Sequence, residues 1–240
     1  GDYEKAITTA EQYLSKYNPT DIELDQLEHL ISQCKSAIQL TKFPLNVKFE
    51  NLGPKLNSEW EDFNPFCTPN EGKLMFSTTR SNVMGGYSYG NGYLADVFIS
   101  KLKGKKYSKP RSMGSSINSI DIDELAGTSS DGRYIFISTD SEGFQIFNLK
   151  MSYMKPRGRS YPKPTTLDGI NGKESNEMGA TITKDGSTII FSSDRPGGIG
   201  GLDLYISRKL PDGKWGTPVN LGPEINSPQD DNYPRFNDEE

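Results

Sequence analysis

Apolar positions follow two different periods along this chain, and the change comes at Phe43-Pro44. Before it the period is helical. Tyr3, Ala6, Ile7, Ala10, Tyr13 and Leu14 fall on one face of a helix predicted over 2–17, and Pro19 ends it. Asp21 is the expected cap of a second helix. Its apolar set is Leu24, Leu27, Leu30, Ile31, Cys34, Ala37, Ile38 and Leu40, with Asp, Glu and Lys opposite. After Pro44 the apolar residues come in short β-branched and aromatic runs separated by Gly, Pro, Asn and Asp, as strands and turns require. The first such run is Val47 to Phe49. We therefore divide the chain into a helical hairpin, 1–43, and a β part, 44–240.

The β part repeats. NLGPEINS at 220–227 recurs as NLGPKLNS at 51–58, as SMGSSINS at 112–119 and loosely as TLDGING at 166–172. Asn57, Asn118, Asn171 and Asn226 are thereby spaced by 61, 53 and 55 residues. Turn glycines Gly72, Gly132 and Gly186 are spaced by 60 and 54, and Pro110, Pro164 and Pro218 by 54 and 54. Each turn glycine precedes an apolar strand: Leu74-Met75-Phe76, Tyr134-Ile135-Phe136 or Ile189-Ile190-Phe191. A second strand follows as DVFIS (96–100), FQIFN (144–148) or DLYIS (203–207).

A repeat of about 50 residues built from hairpins without helices predicts propeller blades, each needing neighbours to cover its two faces. The fold class is thus mainly β: blades at 45–111, 112–165 and 166–219, and the start of a fourth over 220–240. The first blade carries an insertion, SNVMGGYSYGNGY (81–93). The second has SEG (141–143) where the third has its glycine-rich loop, Pro196 to Gly201. In phase, the fourth turn glycine falls on residue 241. We therefore expect a fragment of a larger ring, with an exposed sheet edge at its open end.

The stretch FSSDRPGGIGGLDLYIS (191–207), followed by Trp215, Pro218, NLGPEINS, Asp230-Asp231 and Pro234, resembles the TolB-like, WD-type propeller repeat of periplasmic proteins. ENLG with Asn57-Ser58 ahead of the first blade is similar to the propeller of Bacteroidota proteins that also carry helical repeats and an OmpA-like domain. The PorE-type peptidoglycan-binding lipoproteins of type IX secretion belong to that group. GDYEKAI (1–7) resembles the turn and second helix of a tetratricopeptide repeat; the alternative is a plain helical hairpin packed on the propeller. The propeller resemblance covers roughly 44–240. It implies a periplasmic, outer-membrane-associated scaffold that meets other envelope or secretion-system proteins. Peptidoglycan would be held only by a domain outside this sequence.

Composition adds bounds. Hydrophobic residues make up 33%, with 24 Gly, 15 Pro and 10% aromatics, which suits a turn-dense β fold more than disorder. A net charge of −5 is too small to point to nucleic acid or a membrane surface, and no apolar run approaches spanning length. Cys34 and Cys67 lie in different predicted elements. Buried free thiols are expected, with a disulfide between the two parts as the alternative.

Candidate chemistry is sparse. Gly86-Tyr87-Ser88-Tyr89-Gly90 matches G-x-S-x-G, but a nucleophile elbow leads into a helix, and Tyr93 to Ser100 reads as a strand. The one histidine, His29, belongs to no triad pattern. Metal-ligand spacings are lacking, so no catalytic residue, metal or cofactor is expected. Acids recur before each first strand (Glu59, Glu61, Asp62; Asp121, Asp123, Glu124; Glu174, Glu177; Asp230, Asp231). They are expected to accept hydrogen bonds from turn or neighbouring-blade amides rather than to hold a cation. Arg80 and Arg195, with Asp140 and Asp194 nearby, read as pairs between blades.

Cations segregate. Lys101, Lys103, Lys105, Lys106, Lys109 and Arg111 have no acid among them; nor do Lys150, Lys155, Arg157, Arg159 and Lys163 one blade later. In phase, both stretches line one outer rim. One reading is a solvated edge that blocks sheet pairing. The other is a docking face for an acidic partner, made chiefly of Lys103, Lys105, Lys106, Lys109, Arg111, Arg157 and Arg159. The expected function is a non-enzymatic scaffold or protein-interaction module. The alternatives are a propeller gating a prolyl-oligopeptidase-like hydrolase and a TolB-like docking propeller.

Overall fold

A computed structural model describes residues 2–68, 72–88, 92–140 and 146–237, the side chain of Ser88 excepted. The chain forms two units, residues 1–51 and 52–240. The first holds two helices, α1 (Tyr3–Lys16) and α2 (Asp21–Leu40). Asp2 caps α1 by accepting the Lys5 N–H at 3.1 Å. The cap of α2 is Thr20 rather than Asp21. Thr20 Oγ1 takes the Glu23 N–H while the Glu23 carboxylate takes the Thr20 N–H, a reciprocal box that holds the Glu23 carboxyl below its usual range. Asp21 is left in the first turn, where its charge meets the positive helix end. The strand expected at 47–49 does not form, and residues 44–50 expose their side chains. Alternation alone is not enough, because a strand's N–H and C=O groups need a neighbour.

The second unit is built of antiparallel meanders. The first runs β1 (Asp62–Cys67), β2 (Lys73–Thr78), a ribbon of β3 (Tyr87–Ser88) with β4 (Gly92–Tyr93), then β5 (Asp96–Lys103) and β6 (Lys106–Tyr107). It ends in β7 (Arg111–Ser112), which returns to β5. The second is β8 (Ile122–Thr128), β9 (Tyr134–Asp140), β10 (Phe147–Tyr153) and β11 (Thr165–Thr166). The third is β12 (Glu177–Ile182), β13 (Thr188–Ser193), β14 (Asp203–Arg208) and β15 (Val219–Asn220). These are three successive propeller blades, each with three longer strands and a two-residue outer strand. β2, β9 and β13 hold the same place in each, as the turn-glycine phase predicts. Of the strand expected at 144–148, Phe144 and Gln145 lie outside the described residues; β10 is described from Phe147, with Leu149 opposite Ser138 and Met151 opposite Phe136. The SEG substitution at 141–143 lies outside the described residues.

Period-2 alternation sorts side chains between the junctions. On β9, Phe136 packs with Leu149, Ala180, Ile182, Ile189 and Phe191 between the second and third blades. Ile135 and Ile137 turn the other way and join Met75, Val97 and Leu125 between the first and second. None of these exceeds 2% exposure. Full burial of such a side chain stabilises by ~1.5–3 kcal/mol, so most of what holds a blade lies at its neighbours.

The recurrent asparagine has one job at each junction. Asn118 accepts the Val97 N–H (3.0 Å) and donates to Val97 O (3.1 Å). Asn171 does the same to Leu149, and Asn226 to Leu204. Each carboxamide thus extends the outer strand by one backbone-like pair on the third strand. Successive blades are also joined through hydroxyls: Ser77 Oγ accepts the Leu125 N–H at 2.8 Å, and Thr181 Oγ1 donates to Thr128 O at 3.0 Å. Past β15, Asp231 N–H meets Leu202 O and Ser192 Oγ donates to Asn232 Oδ1, which sets the start of a fourth inner segment against the third blade.

Candidate functional site

The segregated cations begin on the β5–β6 hairpin. Gly104, at φ +63°, turns it; Leu102 pairs with Tyr107 and Lys103 with Lys106, which leaves Lys103, Lys105 and Lys106 exposed at the tip. Lys109 is exposed, and Arg111 returns on β7 opposite Ile99. In the second blade the matching stretch is a tight turn, with Gly158 N–H on Lys155 O at 2.7 Å and Arg157 at φ +67°. Buried Tyr161 anchors its exit by donating to Gly132 O. Burial, with Asp131 nearby, pushes the Tyr161 hydroxyl up to about 12, so it stays a donor.

Arg111 of the first blade and Arg159 of the second line one cleft at the junction of those blades. Lys73 and Lys101 line it too, and its volume is about 300 Å³. Ser112, Ser116 and Ser160 supply hydroxyls, and Ile99, Met113, Ile117 and Tyr161 its apolar lining. No carboxylate is among these residues. Lys73 and Lys101 are direct cross-strand partners on β2 and β5, a like-charge placement that costs stability. None of the ion pairs among the described residues involves these four cations. An anion seated there would relieve the repulsion. Lys103, Lys105, Lys106, Lys109 and Arg157 do not line the cleft. Lys73 was passed over in the sequence because it stands alone there, and only the β2–β5 register brings it to the site.

The recurrent acids brace turns. Asp62 accepts the Ser58 N–H and hydroxyl (2.7 and 2.9 Å), Asp123 those of Ser119 (2.5 and 2.7 Å) and Asp231 those of Ser227 (2.6 and 3.1 Å). The third blade has one more residue here and uses the longer Glu177, which accepts from Gly172 N–H and Ser175 Oγ. Burial works against the Asp62 carboxylate. Bonds from Thr78, Ser58 and Arg80 outweigh it and hold the carboxyl below its usual range.

Arg80 pairs with Asp62 at 2.9 Å and Arg195 with wholly buried Glu177 at 3.0 Å. Both arginines also donate to a turn carbonyl before the blade, Leu56 O and Ile170 O. These pairs lie within a blade, not between blades as expected. The acid opens the first strand and the arginine follows the second, so sheet pairing alone brings them together.

The remaining sequence candidates do not assemble. Ser88 lies on a strand that pairs with β4 instead of leading into a helix, and Tyr89 and Gly90 fall outside the described residues. His29 sits on α2, in the other unit, beside Gln33. Among the described residues no group of three or more His, Cys, Asp or Glu could hold a metal ion. Cys34 and Cys67 are both free thiols, the first buried and the second half-buried. A second cavity, about 280 Å³, lies between β1, β8 and residues 233–235. Its one charged lining residue, Arg235, is stacked 4.7 Å over the Phe66 ring.

No protein-family model matches the sequence, and no curated protein matches it. Solved structures give distant likenesses. A Mycobacterium tuberculosis puromycin-hydrolyzing peptidase is 15% identical, with TM-score 0.38 over 63% of this chain and 20% of that one. A puromycin hydrolase is 14% identical, with TM-score 0.39 over 66% and 21%. A structure from a study of two prolyl endopeptidases is 13% identical, with TM-score 0.37 over 75% and 24%. This chain spans about a quarter or less of their length. At such scores the likeness carries no argument about function, which rests on the site.

Proposed function

We propose that this chain is a non-enzymatic interaction module, a propeller that docks an acidic partner in the cleft between its first two blades. One observation carries the reading: Lys73, Lys101, Arg111 and Arg159 line a single cleft with no acid among its described lining residues, in a chain of net charge −5. The exposed lysines of the β5–β6 hairpin and Arg157 steer the partner, and the cleft seats it. The resemblance carried by residues 191–207 supports the setting. It favours a periplasmic, outer-membrane-associated protein whose partners are envelope or secretion-system proteins, as in the type IX lipoproteins. No described helix is long and apolar enough to cross a membrane. The strand setting of Ser88 supports the non-enzymatic reading: serine-hydrolase probes should leave the chain unlabelled, and labelling lost in Ser88→Ala would overturn it.

The direct test is fluorescence anisotropy with a labelled peptide rich in Asp and Glu. Binding should weaken with salt and fall at least about tenfold in Arg111→Glu/Arg159→Glu. Equal binding by that variant would remove the cleft as the docking site.

A further inference from the structure

The cleft between the first two blades has a counterpart one junction on, and the two places are filled differently. Asn118 pairs with Val97, opposite Ser77, and Asn171 with Leu149, opposite Ser138, which lays the two blades over each other residue by residue. Further along, Ser152 donates to Pro162 O as Ser207 does to Gly216 O, which matches Tyr161 with Trp215. The apolar side chains of the cleft keep their character. Ile99, Met113, Ile117 and Tyr161 fall on Met151, Leu167, Ile170 and Trp215, which close the core between the second and third blades. The four cations do not. Lys73, Lys101, Arg111 and Arg159 fall on Tyr134, Tyr153, Thr165 and Gly213, none of them charged at neutral pH.

The lysines are the telling exchange. Tyr134 and Tyr153 are cross-strand partners with stacked rings, centroids 4.4 Å apart, and Tyr134 packs on the core of its junction. Such an aromatic pair stabilises a sheet, whereas Lys73 opposite Lys101 opposes it. The same fold thus seats aromatic rings at this place, and the first blade has two charged stems there beside an equally apolar lining.

We infer that the partner supplies the ring: the acidic segment proposed for this cleft belongs to a separate protein and is anchored by one aromatic side chain with carboxylates on both sides. This rests on the docking reading above and narrows it. The ring packs against Ile99, Met113 and Ile117, as Tyr134 packs on the second core, and lies along the aliphatic stems of Lys73 and Lys101, with their ammonium groups at its face. The flanking carboxylates meet the ammonium and guanidinium groups and relieve the repulsion between the lysines. At about 300 Å³ the cleft sits at the low end of ligand pockets (~300–1,000 Å³), which suits one anchoring side chain.

The test compares, by fluorescence anisotropy, three labelled peptides of equal charge that place Gly, Leu or Phe between paired acids. The Phe peptide should bind at least about tenfold more tightly than the Gly peptide, and the Leu peptide should recover only part of that gain. Lys73→Tyr/Lys101→Tyr rebuilds the pair of the second blade. It should melt no lower than the unaltered chain and bind all three peptides equally. A para-fluoro-Phe peptide should show a fluorine NMR shift on the unaltered chain that this variant abolishes. Should the variant fail to fold, the three affinities for the unaltered chain decide alone.

A Leu peptide as tight as the Phe peptide overturns the ring. Equal affinities for all three, lost together in Arg111→Glu/Arg159→Glu, overturn the aromatic anchor and leave the docking reading standing. Binding of none overturns both. Self-association of the chain that Arg111→Glu/Arg159→Glu removes would make a second copy the occupant, through its exposed Glu59-Trp60-Glu61, and overturn the assignment to a separate protein.

Discussion

Asp96 opens β5 with no exposure, its Oδ2 taking the Met84 N–H at 2.9 Å and its Oδ1 without a hydrogen-bond partner. Burial, with Asp123 adding to it, pushes the Asp96 carboxyl up to about 6. The second blade puts Asn148 in the same place, opposite Thr139 as Asp96 is opposite Thr78. A carboxyl whose folded pKa exceeds its unfolded value of ~3.9 contributes stability below that value and loses it as pH rises through ~6. Asp96→Asn keeps the shape and the acceptor while removing the buried charge. We expect it to stabilise the chain by about 1–2 kcal/mol at pH 7.5, after discounting for solvent screening, and by nothing near pH 4. Urea unfolding at both values checks this, and an equal effect at both would refute the assignment. The arginine pairs give a graded contrast. Arg195→Met strands wholly buried Glu177 and should cost about 3–5 kcal/mol. Arg80→Met leaves Asp62, whose side chain is 18% exposed, and should cost clearly less.

At the scale of strands, the inner strands carry the tightest constraint. β1, β8 and β12 each break register once, between Phe63 and Phe66, Leu125 and Gly127, and Glu177 and Ala180. Gly127 sits at φ +148°, where a Cβ would lie 1.9 Å from Ala180 O of the next blade. Gly127→Ala should therefore force β8 away from β12 and cost at least about 3 kcal/mol. Gly104→Ala, at a hairpin tip with open space around it, should cost about 1 kcal/mol. Equal midpoints for the two variants in chemical denaturation would contradict the close approach. This level also shows what a sequence can and cannot carry. Turn glycines and prolines held in phase located the blades, because each repeat needs its turns at the same places. Which side chains of β10 face which way was not legible: adjacent Ile146 and Phe147 break the alternation, and only pairing with β9 chooses. Register breaks leave no compositional mark. The recurrence of Arg80 and Arg195 was visible, but phase does not say whether a partner lies in the same sheet or the next.

For the molecule as a whole, the question is how a chain of net charge −5 would engage the acidic partner proposed for it. Charge segregation along the sequence pointed to seven cations, and the structure gathers two of them, Arg111 and Arg159, into the cleft with Lys73 and Lys101. The division implies a division of labour. Charges on the exposed hairpin act at a distance, through a field that falls off over a Debye length of ~8–10 Å at ordinary salt. Cleft charges act in contact, beside the buried apolar side chains of Ile117 and Tyr161. Steering changes association rates and contact changes dissociation rates. Lys103→Glu/Lys105→Glu/Lys106→Glu should thus slow association of the Asp/Glu-rich peptide by about tenfold at low salt, leave its dissociation rate unchanged, and lose the difference near 1 M salt, where the Debye length is ~3 Å. Arg111→Glu should instead speed dissociation several-fold at every salt concentration. Stopped-flow fluorescence separates the two rates. If the hairpin variant raises the dissociation rate as much as the cleft variant does, the partner rests on the whole rim and the cleft is not its seat.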